Sequence, residues 1–170
     1  GRKMHWTGTL ILLGFVTVCA ALILLSLHLT RAGRILHERI PDRPHRRLFL
    51  ASVSFFVTFL GVRLLVAAIT HHIGPFGWVM VHGHHIHHLV WGIALLLIVG
   101  YAEMVEAGTG SSPGSILVSR LIAIGYGIGA ALTLDEFALW LNLDAEAYWS
   151  RQGRESIDAI ILFGALLAIG

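Results

Sequence analysis

The sequence is poor in charged residues and has a single cysteine, and each scarcity narrows the kind of protein that it can encode. Charged side chains make up 13% of the 170 residues, against about 25% in soluble domains. Intrinsic disorder is therefore excluded, because disordered chains are polar and rich in charge. Since Cys19 is the only cysteine, neither a disulfide framework nor a cysteine-based zinc site can form within one chain.

The chain also lacks the strong excess of positive charge that nucleic-acid binding requires. Its formal net charge is +2, while apolar residues make up 56% of it and its mean hydropathy is +0.77. A soluble fold of this size would keep too much of that apolar surface in water. The composition predicts an integral membrane protein with no nucleic-acid partner.

Apolar runs along the chain predict an all-α fold, a polytopic transmembrane helical bundle formed as one domain over residues 1–170. A run of about 18 or more apolar residues is long enough to cross a bilayer. Four runs of this kind and a fifth, short or clipped apolar helix are expected at residues 7–29, 48–70, 84–105, 115–141 and 156–170.

The distribution of arginine predicts the orientation of the bundle. Loop 30–47 contains two acids, Glu38 and Asp42, and the arginines 31, 34, 39, 43, 46 and 47, whereas loop 71–84 has neither lysine nor arginine. Loops rich in Lys and Arg stay in the cytoplasm. We therefore expect a multi-pass protein of the inner (cytoplasmic) membrane, with loop 30–47 inside and loop 71–84 outside.

Histidines are concentrated in one segment on the expected outer side. Of eleven histidines, seven lie within residues 71–88: His71, His72, His82, His84, His85, His87 and His88. On a helix, His84 and His88 are i,i+4 neighbours and His85 and His88 are i,i+3 neighbours, spacings that let two imidazoles bind one cation. Asp135, expected at the same depth, is the further candidate ligand.

His and carboxylate donors without a thiolate suit a divalent metal, with zinc favoured and iron or manganese also compatible. Two alternatives stay open for the cluster. It can be a structural or pH-responsive group of imidazoles, since histidine titrates near neutral pH, or an accident of loop composition.

Glu136 and Arg63 are candidate catalytic residues beside this cluster. If the protein is an enzyme, Glu136 would be the base on metal-bound water and Arg63 would clamp a lipid phosphate or another anion. The alternative for the two acids is an ordinary helix end at the water interface. On a helix, adjacent side chains point about 100° apart, so at most one of the acids is expected to face the histidines. The alternative for Arg63 is a structural ion pair with Asp135 or Glu136, or snorkelling to the headgroups.

Two weaker patterns concern contacts within the bundle. At the expected inner side, Arg120 is a candidate partner for Glu103 or Glu106. The small residues Gly125, Gly127, Gly129 and Ala130 are expected to allow close helix packing.

Three sequence blocks carry a resemblance to a known group of proteins. They are HHIHHLVWG at 84–92, LDEFALWL at 134–141 and GRESIDAI at 153–160. In this order they resemble a family of small, uncharacterised bacterial integral membrane proteins, over roughly residues 50–165. The resemblance implies a bacterial membrane protein and implies no activity.

These patterns together lead to one functional hypothesis and two alternatives. The hypothesis is a membrane protein with a His/carboxylate metal site near the outer leaflet, with metal-assisted hydrolysis of a lipid-like substrate as its chemistry if it is an enzyme. The alternatives are a metal or proton transporter, and a non-catalytic accessory subunit of a larger membrane complex. Membrane lipids are the expected partners, with a homo-oligomer or a larger complex as the assembly.

Overall fold

Helices account for all the regular secondary structure that the structure describes. The computed structural model describes residues 5–70, 88–136 and 154–170, with side chains for 14–68, 90–136 and 157–170. The helices in these ranges are α1 His5–Leu29, α2 Ala32–Arg39, α3 Arg43–Thr70, α4 His88–Met104, α5 Pro113–Asp135 and α6 Arg154–Ile169. The predicted all-α class is confirmed for these residues.

Two of these helices, α3 and α5, are long and apolar enough to cross a membrane. The described part of α1, Gly14–Leu29, qualifies only together with α2, across a bend of 78°. The shorter apolar stretches Val90–Met104 of α4 and Ile157–Ile169 of α6 do not reach that length. The described residues therefore contain two candidate spans, or three if the bent pair is one span, and the four predicted full spans are not confirmed.

Two of the predicted spans extend past the described residues. The described part of α4 has 17 residues, about 26 Å at 1.5 Å per residue, whereas the hydrocarbon core is about 30 Å thick. Helix α5 ends at Asp135, because Glu136 has left helical geometry at φ −104° and ψ 21°. The remaining parts of those predicted spans, 84–87 and 137–141, lie outside the described residues.

Polar caps extend α3 and α5 beyond the apolar runs from which they were predicted. Asp42 accepts a hydrogen bond from the backbone N–H of His45 at 3.3 Å, so α3 begins at Arg43 and not at Leu48. Ser112 accepts from the backbone N–H of Ser115 at 3.2 Å, with Pro113 in the first position of α5. Side-chain oxygens at these positions satisfy N–H groups that have no partner within the helix.

Helix α5 is the central helix, and its glycines let its neighbours approach closely. A Cβ added at Gly127 would lie 2.2 Å from the backbone oxygen of Ala51 in α3, and one at Gly129 would lie 3.1 Å from the backbone oxygen of Gly92 in α4. The predicted role of these glycines in close helix packing is confirmed. The contacts show that α3 and α5 run parallel, with α4 antiparallel to both.

The apolar side chains divide between the interior of the bundle and its outer surface. Phe55, Ile124 and Ile128 are at most 2% exposed. Many leucines face outward instead, among them Leu64 at 71%, Leu97 at 70% and Leu162 at 76% exposed. Large apolar residues are rarely exposed in such numbers on soluble proteins. This surface supports association with a membrane.

The parallel α3 and α5 give the bundle two chemically different ends. The arginine end comprises residues 30–47 and 105–120, and the carboxylate end comprises Arg63 with residues 133–136. Arg43 donates to the backbone oxygens of Thr109 and Gly110, so the two segments of the arginine end are in contact. Arg63 and Asp135 are in contact at the carboxylate end.

Candidate polar site at the carboxylate end

An ion pair joins α3 to α5 at the carboxylate end. Arg63 Nε donates to Asp135 Oδ1 at 2.7 Å, and the two side chains are 18% and 1% exposed. The guanidinium carbon also lies 5.4 Å from the centre of the Phe59 ring. Charges at this depth are costly unless they are paired. Asp135 is one of the two partners expected for Arg63 in its structural alternative, and the anion clamp stays a prediction.

Glu136 adds a second buried carboxylate directly after α5. Its side chain is 4% exposed, close to the 1% of Asp135. Because α5 ends at Asp135, the angle of about 100° between neighbours on a helix does not apply to this pair. Arg63, Asp135 and Glu136 each make further interactions with the protein. Two buried acids and one arginine thus lie at this end of the bundle. An ordinary helix end was the alternative that the sequence left open for these acids.

The packing of α4 on α5 indicates what lies level with these acids. A Cβ added at Gly92 would lie 2.5 Å from Thr133 Oγ1 and 2.7 Å from the backbone nitrogen of Thr133. Helix α4 is antiparallel to α5, so its first residue, His88, lies one turn beyond Gly92, at about the height of Asp135 and Glu136. The backbone of His88 therefore reaches the depth at which these carboxylates lie.

The other candidate metal ligands are not described by the structure. His84 and His85 lie outside the described residues, as do His71, His72, His82 and His87, and the side chain of His88 is not described. Within the described ranges, no group of three or more His, Cys, Asp or Glu residues is arranged to hold a metal ion. The structure thus brings together Arg63, Asp135 and Glu136, and the participation of the histidines stays a prediction.

The arginine end contains contacts that sequence reasoning missed or assigned differently. Glu103 forms a salt bridge with Arg47 and not with Arg120. Arg120 makes no hydrogen bond or ion pair with any residue in the described part of the chain, so its predicted pairing with Glu103 or Glu106 is wrong there. Arg47 lies in α3 and contacts Glu103 of α4, a pairing between two helices that the sequence does not signal.

Arg43 and His45 organise the polar groups at the start of α3. Besides Thr109 and Gly110, Arg43 donates to the backbone oxygen of Gly108, a glycine with φ +74°. His45 is hydrogen-bonded to the carboxylate of Asp42 and thereby lowers the pKa of that exposed group below its ordinary value. These contacts fix the loop between α4 and α5 against α3.

No family model, no curated protein and no solved structure matches this chain. The resemblance to a bacterial membrane family therefore stays a prediction, and the functional argument depends on the residues alone.

Proposed function

We propose that the protein is an integral membrane protein that binds a divalent metal ion at its carboxylate end. Asp135, His84, His85 and His88 are the proposed donors, Glu136 is the carboxylate beside them, and zinc is the favoured metal. The observation that supports this proposal is the burial of two adjacent carboxylates, 1% and 4% exposed, at the end of a helix of membrane-spanning length.

The charges of the site support a bound cation. A carboxylate removed from water needs a counter-charge or a proton. The guanidinium of Arg63 is one such charge, bonded to Asp135. A metal ion held by Asp135 and the neighbouring histidines, next to Glu136, would be another. Imidazole and carboxylate are ordinary zinc donors.

The chemistry that such a site favours is hydrolysis of a lipid-like substrate. Zinc held by Asp135 and the histidines would supply a water of near-neutral pKa, and we assign Glu136 as the base for its proton. Arg63 is then a positioning residue, because its bond to Asp135 orients that carboxylate. This enzymatic role depends on the metal site and fails with it.

A non-catalytic accessory subunit is the second candidate function. Helices α4 and α6 expose large apolar side chains, among them Leu97 and Leu162. In a homo-oligomer or a larger membrane complex, another protein would cover such surfaces. In that role the ion pair of Arg63 would stabilise the bundle.

The orientation follows the same proposal. The arginine-rich loop lies at the opposite end of the bundle from Asp135 and Glu136. If loop 30–47 is cytoplasmic, as the positive-inside rule predicts, the carboxylate end faces the outer leaflet of the inner membrane.

The first test is the metal content of tag-free protein purified in detergent, measured by inductively coupled plasma mass spectrometry. We expect about one zinc, iron or manganese ion per chain. Glu136→Gln and the double variant His84→Ala/His88→Ala should reduce this content about tenfold or more. The matched control is Glu106→Gln, since Glu106 is an exposed carboxylate at the arginine end.

Size-exclusion chromatography of each variant checks that the bundle is still folded. Loss of metal in the two site variants but not in Glu106→Gln supports the site. Metal absent from the wild-type protein, even after incubation with each ion, would overturn the proposal and leave the accessory role. For a protein that binds metal, release of fatty acid or headgroup from lipid vesicles then tests the hydrolase assignment.

A further inference from the structure

We propose that a cavity at the arginine end binds a phosphate group, carried by a phospholipid headgroup or by a soluble phosphate ester. The cavity has a volume of about 300 Å³ and lies between α2, the start of α3 and the start of α5. Four arginines line it and no Asp or Glu does: Arg43, Arg46, Arg47 and Arg120. Guanidinium groups match phosphate oxygens in both charge and geometry.

Two of these arginines are held in place by partners that carry no negative charge. Arg43 Nη1 donates to the backbone oxygens of Thr109 at 2.8 Å and Gly110 at 3.0 Å. Arg46 Nη1 lies 3.0 Å from the backbone oxygen of Pro41 and 2.9 Å from His37 Nδ1. Such bonds orient a guanidinium without cancelling its charge. The cavity wall is therefore both ordered and positively charged.

Acidic groups near the cavity compensate only part of this charge. Glu103 pairs with Arg47 but is not part of the cavity wall. The side chain of Asp42 is 55% exposed and is bonded to His45, and the charge of Arg46 contributes to lowering its pKa. Arg43, Arg46 and Arg120 thus have no carboxylate bonded to them among the described residues. A bound anion would provide the missing negative charge.

Arg120 is the arginine of this cavity that makes no bond to the described part of the protein. It is half-buried on α5 and lines the cavity with three other arginines. Like charges gathered around one cavity repel one another. A phosphate between Arg120 and the facing guanidiniums would remove that repulsion and provide acceptors for their N–H groups.

The rest of the cavity wall suits a phosphate attached to an organic group. Ser111 and the beginning of α5 lie beside the arginines, and the first turn of a helix favours anions. The side chains of Leu36, Leu50 and Ile116 form an apolar part of the wall. An arginine cluster beside apolar side chains fits the boundary between a phosphate and a glycerol or acyl portion.

The test measures binding of four probes to the full chain in detergent, by native mass spectrometry and thermal shift. The probes are dioleoylphosphatidylglycerol, dioleoylglycerol, glycerol phosphate and inorganic phosphate. The variant is Arg120→Gln, and Arg34→Gln is its matched control, since Arg34 is exposed at the same end and does not line the cavity. Arg46→Gln repeats the test from the facing helix.

We expect Arg120→Gln to weaken phosphate-dependent binding about tenfold or more, the usual effect of losing a charged hydrogen bond. Arg34→Gln should change it less than about twofold. Because Arg120 makes no bond to the described residues, its variant should unfold at the same temperature as the wild-type protein or a higher one when no probe is present.

The probes also identify the source of the phosphate. Binding of the phosphatidylglycerol alone, with no binding of the three other probes, assigns a lipid headgroup. Binding of glycerol phosphate or inorganic phosphate at least as tight as that of the lipid assigns a soluble ligand. Equal binding of dioleoylglycerol and the phospholipid, equal losses in the Arg34 and Arg120 variants, or no binding of any probe would overturn the proposal. The site lies at the opposite end from the proposed metal, so each proposal can fail without the other.

Discussion

The two ends of the bundle use arginine in different ways. At the carboxylate end Arg63 is 18% exposed and bonds to a carboxylate that is 1% exposed. At the arginine end the Arg47–Glu103 pair is 30% and 46% exposed, and Arg43 bonds to backbone oxygens. Water stabilises an exposed charge, whereas a buried charge depends on its protein partner. The comparison shows that the buried charges of the carboxylate end depend on their ion pair, whereas the more exposed Arg47 and Glu103 are also stabilised by water.

The largest expected effect comes from breaking the buried pair. Arg63→Met leaves Asp135 buried without its guanidinium, so we expect a loss of about 3–5 kcal/mol in the free energy of unfolding. Arg47→Met, the matched change at the arginine end, should cost about 0–1 kcal/mol. Denaturant unfolding of the detergent-solubilised protein measures both.

The double variant Arg63→Met/Asp135→Leu separates a missing charge from lost packing. Replacing both members of a buried pair by apolar residues is often nearly neutral, so it should recover most of the stability lost in Arg63→Met. Equal losses in Arg63→Met and Arg47→Met would contradict the contrast between the ends.

A smaller effect is expected from separating the helices that connect the two ends. Gly127→Ala places a methyl group 2.2 Å from the backbone oxygen of Ala51, so α3 and α5 must move apart, at about 1–3 kcal/mol. Gly100→Ala is the control, because a Cβ added at Gly100 would have no atom of a neighbouring helix within 4 Å. Thermal unfolding should show a lower midpoint for Gly127→Ala and an unchanged or higher midpoint for Gly100→Ala.

The smallest expected effect concerns an exposed pair at the arginine end. The hydrogen bond from His45 lowers the pKa of Asp42, so this contact stabilises the fold above the ordinary aspartate pKa of about 3.9 and is lost as the pH falls through the lower folded value. In His45→Ala, NMR titration should show the Asp42 pKa returning toward its ordinary value. An unchanged pKa in that variant would show that the pair does not form in solution.

Local signals in the chain predicted several features that the structure contains. The low charge and the apolar runs predicted a helical, membrane-associated fold, and the all-helical class is confirmed in the described ranges. The position of Arg63 within an apolar run predicted a buried counter-ion, which is Asp135. Gly127 and Gly129 were expected at close helix contacts, where they lie. The first two follow from the free energy of placing one residue type in an apolar environment, and the last follows from the absence of a side chain in glycine.

Helix ends and arginine partners were predicted less well, because both depend on contacts that hydropathy does not encode. The caps from Asp42 and Ser112 begin α3 and α5 before their apolar runs start. Arg120 was a candidate partner for Glu103 or Glu106, but Glu103 pairs with Arg47. The cavity at the arginine end was not foreseen, since its walls come from three helices.

Composition and hydropathy specify the class of this protein, because the free energy of moving a helix from water into lipid is a sum over its own residues. They do not specify which charges meet, since Arg63 and Asp135 are 72 positions apart in the chain. That pairing, the burial of Glu136 and the clustering of four arginines around one cavity follow from how α3 and α5 pack. Packing depends on shape over distances that no short segment contains, so the chemistry of both ends emerges only when the helices are assembled.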